Sequence, residues 1–411
     1  MHERKEPDAV KKKARAARAK TSPLGEDIDL GQYLFSSTET PYFDDLALLP
    51  GEQRAQMQQS GMALGEHSSR SGTIIQVDHS IIHSSVSQDG VEVMGINRAL
   101  SMYSWLSRYL WRAVPVDSDK YTAHVELHQN NGYFIRALPN TRVTWPVQAC
   151  LYLAKSELAQ NVHNIIIAEE GSELHVITGC TTAPDQESGL HLGISEIYVK
   201  PRAKLTFTMI HRWTQGIAVR PRTGVVVDDD GVFLDNYVIM GPAHSVQTNP
   251  VAKCVGKGAI TRFSSVVVAP QGSSMDIGSQ VFLDAEGSRS EIISRVVSTG
   301  GHVTSRGYIA GNAPKVKGHM ECNGLILSRE GFIHAVPELK STLADVELSH
   351  EASVGKIAEE EIEYLMARGL SRDEAVAVIV RGFLHVDIEG LPHQLTAELQ
   401  RAIETSGKAF M

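Results

Sequence analysis

The feature that most constrains this chain is a turn-and-strand unit that recurs along its middle section, from about residue 121 to residue 348. Short runs rich in Val, Ile and Thr alternate there with stretches of Gly, Asp, Asn and Ser. The later turns centre on Gly258, Gly272, Gly287 and Gly301, which are 14 or 15 residues apart. A regular step of this kind is typical of repeat architectures, in which each unit buries its apolar face on the next.

The length of the step distinguishes between two kinds of β architecture. Sandwiches and barrels usually place strands at spacings of about 8–12 residues. The longer step seen here, with few helical interruptions, favours a parallel β-helix in which about two units make one coil. We therefore predict a mainly β fold with a parallel β-helix core over 121–348.

Sequence typical of helices flanks this core on both sides. We expect a helical and partly disordered region over 1–70. A strand-and-helix lead-in is expected over 71–120, with one amphipathic helix near 98–113, where apolar residues recur every three or four positions. The segment 349–411 is again rich in helix formers and predicts a small C-terminal helical domain.

The charge and the distribution of apolar residues argue against two classes of partner, nucleic acids and membranes. Lys and Arg total 39 against 48 Asp and Glu, a net charge of −9, whereas general nucleic-acid binding needs clustered basic groups. Residues 1–20 are the exception, with eight basic and three acidic residues. No apolar stretch is long enough to span a membrane, and the N-terminus lacks the apolar segment of a secretory signal. We expect a cytoplasmic protein with no nucleic-acid or membrane partner.

The four cysteines, Cys150, Cys180, Cys254 and Cys322, stand far apart in the sequence. They form no CxxC pair and show none of the short Cys/His spacings of a zinc site. A chain this long does not need a disulfide framework, which small secreted domains use in place of a core. From spacing alone, each cysteine is interpreted as a small buried hydrophobic residue.

Five ordered segments carry a resemblance to a known family. They are QVDHSIIHSSVSQDGVEVM at 76–94, GCTTAP at 179–184, SEIISRVVSTGGHVTSRG at 290–307, KGHMECNGLIL at 317–327 and LSHEASVGKIAEEEIEYLMARGLSRDEAVAVIVRGFL at 348–384. On these segments the chain resembles the SufB/SufD family of iron–sulfur cluster assembly scaffolds, including a single, homodimeric archaeal-type form. Several ordered matches along one chain are far more specific than one short motif.

The resemblance implies a right-handed parallel β-helix flanked by helical N- and C-terminal regions. It also implies a scaffold, not an enzyme, which assembles a labile iron–sulfur cluster at a dimer interface and transfers it to apo-proteins. In this family the C-terminal helices carry an ABC-type ATPase. The present sequence contains no G-x-x-x-x-G-K-[ST] phosphate loop, so the ATPase must be a separate polypeptide. The residues expected to dock that ATPase are Leu365, Arg368, Gly369, Val380, Arg381, Gly382 and Phe383.

Three residues are predicted to hold the cluster because they match positions of the family motifs. Cys322 occupies the position of the essential SufB-type cysteine, and thiolates are the usual ligands of iron–sulfur clusters. Glu351 matches a SufB-type glutamate, a hard oxygen ligand that suits a scaffold because it holds a cluster weakly. His350 matches the histidine implicated in SufD-like chains, and imidazole is a good iron ligand. Neighbouring residues of a strand point to opposite faces, so His350 and Glu351 of one chain are not expected to reach the same cluster.

The motif around these residues indicates how the chains pair. Ser349, His350, Glu351 and Ala352 combine a SufD-like Ser-His with a SufB-like Glu, and Cys322 lies in the same polypeptide. We therefore predict a homodimer formed through the β-helix, in which each copy supplies both the SufB-like and the SufD-like ligands.

One departure from the SufB pattern leaves the sulfur route open. Val226 occupies the place of a cysteine that is thought to receive sulfur from a donor protein in SufB-like chains. Cys254 or Cys180 could substitute in a sulfur relay, or sulfide could arrive directly. The donor protein, the acceptor proteins and the cluster type do not follow from the sequence.

Two alternatives from other functional classes stay open at this point. The first is a structural adaptor that binds the ATPase without holding a cluster. The second is a polysaccharide-acting β-helix protein, since one fold hosts many functions. That second alternative predicts a signal peptide and a groove of clustered acid-base residues, and neither is identified in the sequence.

Overall fold

Two long β-sheets wind around a common axis and form a β-solenoid of about eight turns in the computed structural model. The structure describes residues 5–65, 69–128 and 131–384. The mainly β class predicted from the repeat, with helices at both ends of the solenoid, is confirmed. No helix among these residues is both long and apolar enough to cross a bilayer.

Sheet 1 contains the strands that carry Cys322, His350, Glu351 and Cys180. Its strands are β1 (Gly72–Val77), β2 (Ser80–Val86), β5 (Val147–Leu153), β7 (Glu173–Thr182), β9 (Lys204–Arg212), β12 (Val232–Ile239), β15 (Ile260–Pro270), β17 (Arg289–Thr299), β19 (Val316–Ile326) and β21 (Val346–Gly355).

Sheet 2 faces sheet 1 across the core. Its strands are β3 (Val91–Gly95), β4 (Tyr133–Ala137), β6 (Ala159–Ala168), β8 (Gly189–Val199), β10 (Ile217–Val219), β11 (Arg222–Val227), β13 (Ser245–Thr248), β14 (Val251–Cys254), β16 (Ser274–Leu283), β18 (His302–Gly311) and β20 (Phe332–Ser341).

Among the described residues, the helices precede the solenoid, form part of its lead-in or follow its last strand. They are α1 (Lys5–Ala17), α2 (Gly51–Gln59), α3 (Ile96–Met102), α4 (Lys120–His128), α5 (Glu359–Met366) and α6 (Arg372–Leu384), with 3₁₀ turns at Leu30–Gln32, Leu46–Leu48 and Ser104–Tyr109.

The parallel pairing explains the sequence repeat. Ile260 pairs with Arg289, and Arg289 pairs with Lys317, so one coil takes 28 or 29 residues, which is two turn-and-strand units. Successive strands along the chain alternate between the two sheets from β4 to β9 and from β15 to β21. The predicted arrangement of two units per coil is therefore correct.

Glycine makes the repeated turns possible. Gly258, Gly272 and Gly287 have φ values of +66°, +81° and +73°, a left-handed conformation that costs other residues steric strain. In the next turn the positive φ falls on Gly300, at +126°, one residue before the glycine that marks the centre in the sequence. The periodic glycines are thus the corners of the solenoid.

The inside of the solenoid is formed by alternate residues of both sheets. In β19, for example, Met320 and Cys322 are buried, while Lys317 is exposed. The interior residues join into one long apolar cluster that extends from Ile74 to Ile333. Burial of this continuous face holds the coils together, because no single coil could bury its apolar residues alone.

The lead-in differs from the single helix predicted near 98–113. The structure has α3 followed by the 3₁₀ turn Ser104–Tyr109 instead, and the chain then adopts a positive φ of +56° at Trp111. A buried carboxylate, Glu196, accepts hydrogen bonds from the backbone N–H groups of residues 111 to 114. This tertiary contact replaces the local helical bonds that the sequence pattern alone favours.

At the C-terminal end, the solenoid extends further than the sequence pattern suggests. The last strand, β21, continues to Gly355 because residues up to that point pair in parallel with β19. The predicted helical segment from residue 349 thus begins with strand, and its first helix starts at Glu359. Helix α6 then folds back on the outer face of sheet 1, where Val380 and Leu384 contact Val266 and Val297.

Candidate functional site

Cys322 lies inside the solenoid, one strand away from its C-terminal end. Its neighbours in register are Ser294 on β17 and Ala352 on the terminal strand β21. The cysteine is 2% exposed. Burial is the main reason why its pKa is raised to about 11, and the charge of Glu321 adds to the effect. The thiol is therefore protonated at neutral pH, and a metal must displace its proton in order to bind.

His350 and Glu351 lie on opposite faces of β21, as the sequence predicts. His350 is in register with Met320, which points into the interior together with Cys322. Glu351 is in register with Glu321, whose carboxylate is 2.8 Å from Arg295 on the outer face. The structure therefore brings His350 to the face of Cys322 and places Glu351 on the other side of the sheet.

A short polar network lies on the outer face beside Glu351. Asn323 donates a hydrogen bond of 2.7 Å to Glu321 and accepts one of 2.6 Å from Ser353. These bonds and the Arg295 ion pair hold Glu321 in place. Glu351 is exposed and forms no hydrogen bond or ion pair within the described part of the chain, so its carboxylate is available to a ligand outside this chain.

The C-terminal end of the solenoid leaves two strand edges open. Within the described residues, β21 pairs only with β19, and β20 pairs only with β18. Several apolar side chains of this end are exposed, namely Phe332, Leu339, Leu343 and Val354. Open edges with apolar side chains are a template for pairing with another chain. On this side Cys322 is covered by Ala352 of β21, whose side chain is a single methyl group.

One chain does not present a complete metal site. Among the residues that the structure describes, no three His, Cys, Asp or Glu side chains are grouped so that they could hold a metal ion. Cys322 and His350 supply a thiol and an imidazole on one face, two of the four ligands that a cluster usually takes. A cluster at this position would need further ligands from another chain, from the cargo itself or from a rearrangement.

The two cysteines suggested for a sulfur relay are also interior residues. Cys180 on β7 and Cys254 on β14 belong to the same core as Cys322. Burial raises the pKa of Cys254 to about 12 and that of Cys180 well above its usual value. Cys254 lies between two and three coils from Cys322, about 12 Å along the axis, and Cys180 lies five coils away, about 24 Å. Neither thiol contacts Cys322 directly.

Val226 faces away from this interior. It lies on the outer side of β11 and is partly buried in a cluster that includes Tyr109 of the lead-in and Tyr198 of β8. A thiol at this position would contact that aromatic cluster and not the core that contains Cys254.

The residues predicted to dock an ATPase fall into two groups. Val380 is buried against the solenoid, and Phe383 and Leu365 are partly buried. The others are exposed, namely Arg368, Gly369, Arg381 and Gly382. Helix α5 also exposes two large side chains that the sequence interpretation omitted, Tyr364 and Met366. The presented surface therefore centres on α5 and the turn after it.

The sequence interpretation also missed a polar column inside the core. Ser265, Ser294 and Cys322 occupy successive coils in register, and Ser294 hydrogen-bonds both Ser265, at 3.2 Å, and Ser305, at 3.0 Å. A small cavity of about 30 Å³ is lined by Ser265 and Ser294 of this column and by Asp235. Superimposing the sequence on itself at an offset of one coil would have aligned these hydroxyl positions.

Asp235 makes the interior sensitive to pH. Burial raises the pKa of its carboxyl to about 8, whereas an unfolded Asp titrates near 3.9. The unfolded chain therefore loses this proton first, so the free energy of unfolding should fall between about pH 4 and pH 8, by up to ~1.4 kcal/mol per pH unit. Asp235→Asn should remove this component, and urea unfolding of both proteins across the pH range measures it.

The matched control for Asp235 is Asp185→Asn, since Asp185 is exposed. Its unfolding free energy should follow that of the wild type at every pH. If the difference between wild type and Asp235→Asn stays constant from pH 4 to pH 8, the carboxyl is not protonated inside the solenoid.

Comparisons with known proteins agree with the resemblance seen in the sequence. Residues 151–383 match the family described as SUF system FeS cluster assembly, SufBD core domain. Proteins named iron-sulfur cluster assembly SufBD family protein are similar over most of the chain. The one from Archaeoglobus fulgidus is 51% identical over 88% of this chain and 97% of its own. The one from Methanothermobacter thermautotrophicus strain Delta H is 45% identical over 97% and 98%, respectively.

Proposed function

The chain is a member of the SufBD family of iron–sulfur cluster assembly proteins, and we propose that it is a scaffold on which a cluster is built and then passed to apo-proteins. The observation that carries this proposal is the position of Cys322. The thiol lies inside the solenoid, one strand from its open end, on the same face as His350.

The scaffold acts as a homodimer joined at the open ends of two solenoids. The unpaired edges of β20 and β21 in the described part of the chain, with the exposed apolar residues around them, support this arrangement. Pairing there brings the Cys322 and His350 side chains of two copies toward one seam. Two chains then supply the ligands that one chain lacks, with Glu351 on the outer face as a further oxygen donor.

A cluster held in this way is labile, which suits a carrier. Each chain offers one thiolate, whereas stable clusters are usually held by four. The protonated Cys322 thiol adds a further weakness, because protons compete with iron for the sulfur. Transfer of the cluster to an apo-protein that offers four thiolates is then thermodynamically favourable.

The energy for opening and closing the seam comes from a separate ABC-type ATPase. It docks on the exposed surface of α5 and the following turn, including Tyr364, Met366 and Arg368. Helix α6 joins this surface to the solenoid, because Val380 and Leu384 pack on the outer face of sheet 1. Movement of two docked ATPases is thereby transmitted to the paired solenoids.

We place this assembly in the cytoplasm, where thiols stay reduced. All four cysteines are free in the structure. Sulfur reaches Cys322 either as sulfide through the open end or by way of Cys254 and Cys180, which belong to the same core cluster.

Anaerobic reconstitution tests the proposed function. The full chain, co-expressed with an ABC-type ATPase of the SUF system, is treated with ferrous iron and sulfide. We expect a dimeric complex that co-purifies with the ATPase, shows the visible absorbance of an iron–sulfur cluster and loses it to an apo-ferredoxin. A complex that binds the ATPase but never acquires this absorbance would leave the adaptor alternative as the function.

A further inference from the structure

The exposed face of α1 carries a row of cations on an otherwise acidic protein. Lys11, Arg15 and Arg18 are spaced by four and three residues, so they lie along one side of the helix and the turn that follows it. Lys12 lies beside them. All four are exposed, and none has an ion-pair partner among the described residues. We call these four residues the α1 stripe.

The side of α1 next to the stripe packs on the protein and gives the stripe a rigid support. Ala14 and Ala17 are buried in a cluster with Tyr121 and Val125 of α4. The chain after the helix is held as well, because Lys20 donates to the carbonyl of Asp117 at 2.8 Å. The cations of the α1 stripe are therefore presented in a set geometry and are not carried on a loose arm.

We propose that the α1 stripe is a docking surface for an acidic segment of a partner protein. Lys11 and Arg18 are seven positions apart, about 10 Å at the rise of a helix. Acidic side chains on two turns of a partner helix match this length and spacing. The stripe carries no large apolar side chain, which argues against insertion into a membrane surface.

The charge of the rest of the chain favours a short acidic protein segment over nucleic acid. A nucleic acid is long and continues beyond the stripe, where it meets a protein with a large excess of negative charge. A short acidic segment meets only the local field, because charges are screened within about 8 Å at physiological salt. The inference does not depend on the cluster chemistry at Cys322.

Binding of two polyanions to the full-length protein tests the proposal. The probes are a short fluorescent poly-L-glutamate and a fluorescent oligothymidylate long enough to extend well beyond the α1 stripe. The variant Lys11→Glu/Arg15→Glu/Arg18→Glu should bind poly-L-glutamate at least about tenfold more weakly than wild type, since three exposed ion pairs are lost. Wild-type binding should weaken steeply with added salt.

A matched variant separates the stripe from net charge. Lys253, Lys257 and Lys356 are exposed elsewhere on the solenoid, and their reversal to Glu changes the total charge by the same amount. This variant should retain wild-type affinity for poly-L-glutamate, and circular dichroism checks that both variants fold. The proposal is overturned if wild type does not bind poly-L-glutamate at low salt, if both variants lose affinity equally, or if oligothymidylate binds more tightly.

Discussion

Cys322→Ala is expected to abolish cluster assembly while leaving the solenoid folded. The side chain is the one thiol on the interior face of β19, and the described residues nearby contain no second thiol that could take its place. Alanine keeps the position apolar, so the expected loss of stability is limited to a small cavity, about 1–2 kcal/mol. Reconstitution with iron and sulfide, followed by visible spectroscopy and iron and sulfide analysis, measures the effect.

Cys150→Ala is the matched control for this experiment. Cys150 is equally buried but belongs to a separate cluster on the outer side of sheet 1, beneath α2. Its replacement should leave the cluster absorbance at the wild-type level. If Cys322→Ala also acquires wild-type absorbance, Cys322 is not a ligand and the proposed site is wrong.

The two faces of β21 predict different effects for His350 and Glu351, the two further residues that we propose as cluster ligands. His350 shares the face of Cys322, so His350→Ala should reduce the cluster content of the dimer strongly. Glu351 lies on the other face of the strand, with Glu321. Glu351→Ala should therefore slow the loading of iron but reduce the final cluster content less than His350→Ala does. Equal losses in the two variants would mean that the strand turns at the seam when two chains pair.

Glu196→Ala is expected to destabilise the fold more than Cys322→Ala does. The carboxylate is fully buried and accepts four backbone N–H groups of the lead-in, at 2.5 to 3.2 Å. It also lies 2.8 Å from Nε2 of the buried His163. Loss of a buried charged partner of this kind usually costs about 3–5 kcal/mol. The midpoint of urea unfolding should fall accordingly.

A local measurement distinguishes loss of this contact from general destabilisation. Trp111 is held at a φ of +56°, which is strained for a bulky residue, and the bonds to Glu196 compensate for that strain. In Glu196→Ala, the backbone amides of residues 111 to 114 should therefore exchange faster than in the wild type, while the amides of the strands stay protected. Glu187→Ala, at an exposed site, is the control. It should change the free energy of unfolding by no more than about 0.5 kcal/mol and leave exchange at these amides unchanged. Unchanged exchange at these amides would show that the carboxylate does not hold the lead-in.

These two sites differ in how far the sequence can predict them. Cys322 and His350 are predicted as cluster ligands from their motifs, and the alternation of a strand correctly predicts that His350 and Glu351 face opposite sides. Glu196 gives no signal, because a glutamate in an alternating strand is ordinarily interpreted as a solvent-exposed residue. Its backbone partners in the lead-in lie more than 80 residues away along the chain, so only the packing of the lead-in on sheet 2 reveals its role.

The same distinction applies to the ends of the β-helix. The pattern of residues 349–355 resembles the start of a helical domain, yet these residues continue β21 because β19 offers them an open edge. Similarly, the sequence predicts that Val380 faces a partner, and the structure buries it on Val266 and Val297 instead. Local propensity is weak compared with tertiary pairing and burial, so it decides neither boundary.

By itself, the sequence determined the repeat, the solenoid and the family, because a glycine turn every 14 or 15 residues and an alternating strand are local properties of the chain. Only the tertiary structure decided which residues share the interior with Cys322, how close that thiol lies to the open end and which face of α1 presents its cations. Those relations depend on register between coils and on burial against distant residues. Neither the register nor the burial can be read from the residue at any single position.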